Sequence, residues 1–330
     1  MNTTPTPTPY GATTTSSDRP TSDQDQPQVD ATGRVPGGER ALVLGGGGST
    51  GNAWLIGVIA GLFEAGLDVT GADLTIGTSA GSTAAAQLTG ASPTELLAAI
   101  LDAAPRQPTG PGGSAGGRVG NRPVTDHLER LRAIIAAADD AADLRRRMGV
   151  AALEAAAAQG SSRQEGWRET VAARLPGRHW PERTLLITAV DARSGAPVVF
   201  DRHSGVDLVD AVAASCSSSF AYATGEGRYI DGGYRSNAEN ADLAAGYARV
   251  LVLSPFGGRS LHPQEWGTHL STQVEDLRAH GSRVETIVPD DDSEHLFGAH
   301  AMDLSLRPAA ARAGYRQGRA CAEQLAAFWR

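Results

Sequence analysis

No lysine occurs anywhere in this chain of 330 residues; all 29 basic residues are arginines. That absence excludes the Walker-A lysine, a Schiff-base lysine, a kinase-type phosphate-pairing lysine and S-x-x-K serine hydrolysis. Cysteine is almost as scarce. Cys216 and Cys321 are the only two, and neither has a C-x-x-C partner, so there is no basis for a disulfide framework or a cysteine-built zinc or redox site. Long hydrophobic runs are missing too. The longest apolar stretch, residues 53–65, falls short of the ~20 residues of a membrane span and contains Gly57, Gly61 and Glu64. The first residues lack the basic and apolar regions of a signal peptide, so the expected location is the cytoplasm. A formal net charge of −8 argues against a broadly basic surface, and no nucleic-acid partner is expected.

Hydrophobic residues are also absent from the start. Residues 2–35 contain no Leu, Ile, Phe, Met or Trp and are crowded with Thr, Pro, Ser, Asp and Gln. Such a segment cannot bury enough apolar surface to offset chain entropy. It reads as a disordered tail over residues 1–38 whose removal as far as residue 35 leaves the fold intact. Residues 39–330 then form one α/β domain with a helical insertion at about 105–178.

What the chain has in abundance is glycine, 40 residues, concentrated in informative places. A strand-like run, Leu42-Val43-Leu44, enters the turn Gly45-Gly46-Gly47-Gly48-Ser49-Thr50-Gly51, and a helical pattern follows over about 52–65. A second run at 72–76 enters Gly77-Thr78-Ser79-Ala80-Gly81 and a helix at about 80–89. Ser92 and Glu95 form a capping box that opens another helix. Strands are expected again at 185–190, 197–201, 228–230, 250–253 and 284–288, with helices at about 207–214 and 308–329. Strands alternating with helices of this length indicate a mainly parallel sheet covered on both faces. Residues 105–122 read as a flexible loop. The alanine-rich stretch from Thr125 to about Ala158 and the segment 162–175 read as helices, either a layer packed on the sheet or a lid.

The second turn is a G-x-S-x-G placed directly between strand and helix. In such an elbow the backbone bends too sharply for bulky neighbours, and the serine hydroxyl stands clear of the fold. The first turn offers backbone N–H donors for an oxyanion, so the pair points to acyl transfer to a serine. Residues 46–51 also fit G-x-G-x-x-G, but a dinucleotide site wants an acidic residue at the far end of the next strand. Here Asp73 stands at the near end, and the far end is the elbow.

These two turns, together with Asp231-Gly232-Gly233, resemble the three signatures of patatin-like phospholipases in order and context. The surrounding text agrees: Ile56-Gly57-Val58, Asp210 through Ser215, and Asn237 through Leu243. The resemblance implies a three-layer α/β/α fold and a lipid-ester hydrolase with a Ser–Asp dyad and no cofactor or metal. It makes Ser79 the nucleophile and Asp231 its base, with oxyanion donors from Gly46, Gly47, Gly48 and Ala80. Gly51, Gly77, Gly81, Gly232 and Gly233 support the motifs. The implied partners are a lipid or ester substrate and a transient membrane surface; oligomeric state is left open. Two departures stand out. The family's usual cation before Gly51 is replaced by Thr50, which predicts no local attraction for anionic head groups. The usual proline near 217–219 is missing from Cys216-Ser217-Ser218-Ser219-Phe220, which predicts a more flexible or differently shaped wall.

The competing reading is an α/β-hydrolase with a Ser–His–Asp triad, because His262, His269, His280, His295 and His300 all follow Asp231. A catalytically silent lipid-binding module is a third. Three lesser features take plain readings: Arg145-Arg146-Arg147 as a solvated helix face, the acids at 290–294 as an exposed turn, and Cys216 as a small packed residue.

Overall fold

The structure, a computed structural model, describes Met1 and residues 29–103 and 124–330. The loop expected at 105–122 and the tail as far as residue 28 lie outside the described residues. The chain runs β1 (Gly38–Leu44), α1 (Gly48–Glu64), β2 (Leu74–Gly77), α2 (Ala80–Leu88) and α3 (Pro93–Asp102). Three helices follow: α4 (Val124–Ala136), α5 (Ala141–Gln159) and α6 (Ser161–Ala172). Then come β3 (Thr184–Asp191), β4 (Pro197–Phe200), α7 (Leu208–Ser215), β5 (Tyr222–Thr224) and β6 (Gly227–Asp231). The last elements are β7 (Tyr247–Leu253), α8 (Leu270–Ala279), β8 (Arg283–Ile287) and α9 (Arg307–Trp329).

The eight strands among the described residues belong to one sheet ordered β5-β6-β3-β2-β1-β7-β8, with β4 also paired to β3. β3, β2, β1, β7 and β8 run parallel. β4 and β6 pair antiparallel with β3, and β5 with β6. Side chains alternate across a strand, so each central strand feeds two cores. Leu42, Leu44, Leu251 and Leu253 pack with α1, α2, α3, α7 and α9. Their neighbours Ala41, Val43, Val250 and Val252 pack with Leu270, Val274 and Leu277 of α8. Helices therefore cover both faces of the sheet, the three-layer α/β/α arrangement expected from the alternation of strands and helices.

The α1–α9 contact is built on glycine. A Cβ on Gly57 would lie 2.1 Å from Ala311 O, and one on Gly61 2.3 Å from Tyr315 O. Gly314 and Gly318 of α9 approach Trp54 O and Val58 O at 2.3 and 2.2 Å by the same measure. Glycines four apart on both helices bring the backbones together closely, and the buried helix α1 is held between α9 and the sheet.

Three expectations change. Residues 29–38 are not part of a free tail: Ala31 is fully buried, its N–H donates to Val199 O at 2.8 Å, and Arg34 grips Asp201 at 2.7 and 3.0 Å. Composition hid this because one small residue and one ion pair, rather than large apolar side chains, do the anchoring. The alanine-rich stretch is two helices, α5 being restarted by Asp140, whose side chain accepts Asp143 N–H at 2.7 Å. α5 packs Leu144, Met148 and Ala152 against Val190, Ala192 and Ile230, which makes it a layer on the sheet. Arg145 is accordingly half-buried rather than part of a solvated face. It donates to Gly195 O and Arg235 O at 2.9 and 3.0 Å, and only Arg146 and Arg147 face outward toward Asp143.

Candidate active site

β2 ends at Gly77 and α2 begins at Ala80, leaving two residues to reverse the chain. Ser79 makes the bend with φ 52° and ψ −113°, a conformation that is strained for a residue with a side chain. The surroundings enforce it. Ser79 N–H donates to Ser215 Oγ at 2.9 Å, and Gly81 N–H to Thr78 O at 2.8 Å. Two residues to either side no side chain fits: a Cβ on Gly81 would sit 1.9 Å from Leu44 O, and one on Gly77 2.6 Å from Ser82 Cα.

Asp231 arrives from the end of β6, beside Ala189 of β3, and is buried. The Ser79 hydroxyl donates to its Oδ2 at 2.9 Å, and Gly233 N–H donates to its Oδ1 at 2.8 Å. Burial pushes its pKa up to about 6, although both donors pull the other way. A carboxylate raised this far is a better proton acceptor than an exposed one and still ionises below neutrality.

Asn240 ties the two turns to each other. Standing in the left-handed region with φ 56°, it donates from Nδ2 to Thr78 Oγ1 and to Gly232 O, both at 3.0 Å. The Ser79 and Asp231 turns are thus referenced to one buried amide. The segment after Ser215 is pinned without a proline: Ser217 O accepts Asp231 N–H at 3.0 Å, and Tyr234 Oη donates to Ser218 O at 3.1 Å. Hydrogen bonds replace the expected looseness.

The glycine turn lies against the elbow, a Cβ on Gly46 falling 3.5 Å from Ser79 Cβ. Gly46 is not an available donor, however, because its N–H is spent on Ala238 O at 2.8 Å. Gly47, Gly48 and Ala80 have N–H groups without an acceptor among the described residues, as expected at helix starts. Cys216 Sγ donates to Ser79 O at 3.1 Å; burial pushes its pKa up, so it remains a packed thiol.

Thr50 is fully buried, with its hydroxyl unpartnered and its N–H on Ala301 O at 3.0 Å. An arginine at that position would have no room. A cation nevertheless reaches the turn, from 258 residues downstream: Arg307 Nη1 donates to Ser49 O at 2.7 Å. The expectation that the turn lacks a local positive charge is therefore overturned. Behind the turn, Glu239 is buried and accepts Ser254 Oγ at 2.6 Å, and burial pushes its pKa up to about 7.

No histidine bonds to Ser79 or Asp231 among the described residues. His262 pairs with Thr268, His269 with His262 O, and His280 with Asp276 O, while His295 and His300 are exposed. The acids at 290–294 are structural: Asp290 caps a short turn through Ser293 N–H at 3.0 Å, and Glu294 pairs with Arg259. Four contributors had no role assigned from sequence: Ser215, Asn240, Glu239 and Arg307. Asn240 carried a weak signal, since asparagine tolerates left-handed backbone; Arg307 carried none.

A strained serine between strand and helix, hydrogen-bonded to a buried aspartate beside a glycine turn, defines an elbow-type α/β protein. The sequence matches patatin-like phospholipases over residues 42–243, and the chain belongs to that family. No curated protein matches it. The solved structures that resemble it include two of one effector. One is full-length ExoU with full-length SpcU, from the type III secretion system of Pseudomonas aeruginosa, at 19% identity, covering 86% of this chain and 53% of that one, with a TM-score of 0.34. The other is the type III effector ExoU, at 18% identity, covering 86% and 54%, with a TM-score of 0.30. The chain thus spans about half the length of both.

Proposed function

We propose that the protein is a serine acyl hydrolase that cleaves carboxylic esters of lipids through an acyl-enzyme on Ser79. The observation that carries this reading is the 2.9 Å hydrogen bond from Ser79 Oγ to Asp231 Oδ2, made by a serine in a strained elbow. Asp231 takes the hydroxyl proton as Ser79 Oγ attacks the ester carbonyl. Gly47, Gly48 and Ala80 N–H groups stabilise the oxyanion. The tetrahedral intermediate collapses, the alcohol leaves with the proton, and water attacks the acyl-enzyme in the reverse sense to release the fatty acid and restore the serine.

The dyad reading is favoured over a triad because Asp231 meets the serine directly. Its test is hydrolysis of a short-chain aryl ester and a diacyl lipid by the full chain. Ser79→Ala and Asp231→Asn are each expected to lower kcat by about 10³-fold or more, whereas alanine at any one of the five late histidines changes it by less than about fivefold. A single histidine variant that folds and loses turnover to the same extent as Asp231→Asn replaces the dyad with a triad. Turnover that survives Ser79→Ala rejects the hydrolase assignment altogether.

A further inference from the structure

Arg307, the first residue of α9, lies far from the motifs in sequence and against them in space. Its Nη1 donates to Ser49 O at 2.7 Å and to Ser49 Oγ at 3.2 Å, and its Nη2 donates to Asn52 Oδ1 at 3.1 Å. Asn52 in turn donates from Nδ2 to Ala80 O at 3.4 Å and to Gln87 Oε1 at 3.0 Å. One side chain therefore separates the guanidinium from the residue that follows the nucleophile.

The charge of Arg307 has no carboxylate to meet it among the described residues. Its setting makes that unfavourable. It is partly buried, and it stands on the first turn of α1, where unsatisfied N–H groups already form the positive end of a helix. Burial, with the like charge of Arg174 added, pulls its pKa down to about 10. The hydrogen bonds to Ser49 and Asn52 are made to neutral groups and leave the charge of the guanidinium unmatched. Arg235, the cation nearest Asp231 in sequence, differs: Asp242 receives it at 2.8 and 2.9 Å. Of the two arginines, Arg307 alone brings uncompensated charge to the turn.

We propose that Arg307 is a specificity-determining residue that binds the phosphate of a glycerophospholipid beside the oxyanion turn. The bound anion completes the charge that the fold leaves unmatched. In such a lipid the glycerol carbons link phosphate and ester, so a phosphate held next to Ser49 leaves an acyl ester free to reach Ser79. Arginine suits the task because its planar fork receives two phosphate oxygens while other N–H groups keep Ser49 and Asn52. This inference rests on the hydrolase reading above.

The test compares phosphatidylglycerol with diacylglycerol of the same acyl chains, as kcat/KM in the active protein and as binding to Ser79→Ala in the full chain. Failure to turn over either lipid counts against the hydrolase reading and leaves the binding comparison readable. In Arg307→Gln the ratio of the two kcat/KM values, and of the two affinities, is expected to fall at least about tenfold. Arg307→Lys, which keeps the charge and loses the fork, is expected to retain part of the ratio. Inorganic phosphate is expected to weaken phosphatidylglycerol binding in the otherwise unaltered Ser79→Ala protein more than chloride of equal ionic strength does, a reading that does not depend on an Arg307 variant folding. Equal losses on both lipids in Arg307→Gln would make Arg307 a structural clamp and overturn the proposal. Competition by phosphate with unchanged lipid ratios would assign the cation to free phosphate and overturn the head-group assignment.

Discussion

Two buried acids near the elbow set opposing pH dependences. Asp231 is raised to about 6 and Glu239 to about 7, each chiefly by burial, against ~3.9 and ~4.3 in an unfolded chain. Between those limits the folded state binds more protons than the unfolded one, so stability falls as pH rises from about 4 to about 7. The proposed hydrolysis moves the other way: if Asp231 is the base it must be ionised, and log kcat/KM is expected to rise with unit slope below about 6 and level off above it. Asp231→Asn removes the buried charge and keeps an acceptor for Gly233 N–H. At pH 8 it is expected to stabilise the fold by roughly 2–3 kcal/mol while abolishing turnover. Thermal melts of both proteins at pH 5 and pH 8 check the sign: the advantage of the variant shrinks in acid.

At the scale of elements, the α1–α9 contact makes a prediction about one substitution with two outcomes. Alanine for glycine inside a helix ordinarily stabilises by about 0.5–1 kcal/mol. Gly166 in α6 has nothing within 4 Å of its added Cβ, so Gly166→Ala is expected to follow that rule. At Gly61 the added carbon meets Tyr315 O at 2.3 Å, and Gly61→Ala is expected to destabilise by roughly 1–3 kcal/mol. Urea midpoints of the two variants are expected to shift in opposite directions; a gain at both would mean that α9 packs elsewhere. The elements themselves were legible in the sequence because their signals are local. The elbow announces itself through glycines that no side chain can replace, and the capping box of α3 follows from the Ser92–Glu95 spacing, with Ser92 Oγ accepting Glu95 N–H at 3.3 Å. Asn240 and Arg307 were not legible in this way. Their roles depend on which residues the sheet brings beside them, and Arg307 reaches Ser49 only because the glycine contact seats α9 on α1.

Considered as a whole, the molecule has an anchored start. Residues 29–34 lock onto β4 and the turn after it, through Ala31 on Val199 and Arg34 on Asp201. Removing residues 1–28 is therefore expected to leave the melting temperature within about a degree, whereas removal through residue 35 costs roughly 1–3 kcal/mol, several degrees for a domain of this size. Equal melting temperatures for the two truncations would mean that the segment contributes nothing. No helix among the described residues is long and apolar enough to cross a membrane. Composition misjudged the boundary of the tail because it counts large apolar residues and cannot see one buried alanine or one ion pair.

The central claim is that Ser79 is the nucleophile and Asp231 its base. The most direct measurement is covalent labelling of the full chain with a fluorophosphonate, followed by peptide mapping and by labelling rates across pH. The account predicts one adduct, on Ser79, absent from Ser79→Ala, strongly slowed in Asp231→Asn, and formed at a rate that climbs through about pH 6 with ionisation of the buried carboxylate. An adduct on another residue, or labelling of Ser79 at an undiminished rate without the Asp231 carboxylate, would contradict it.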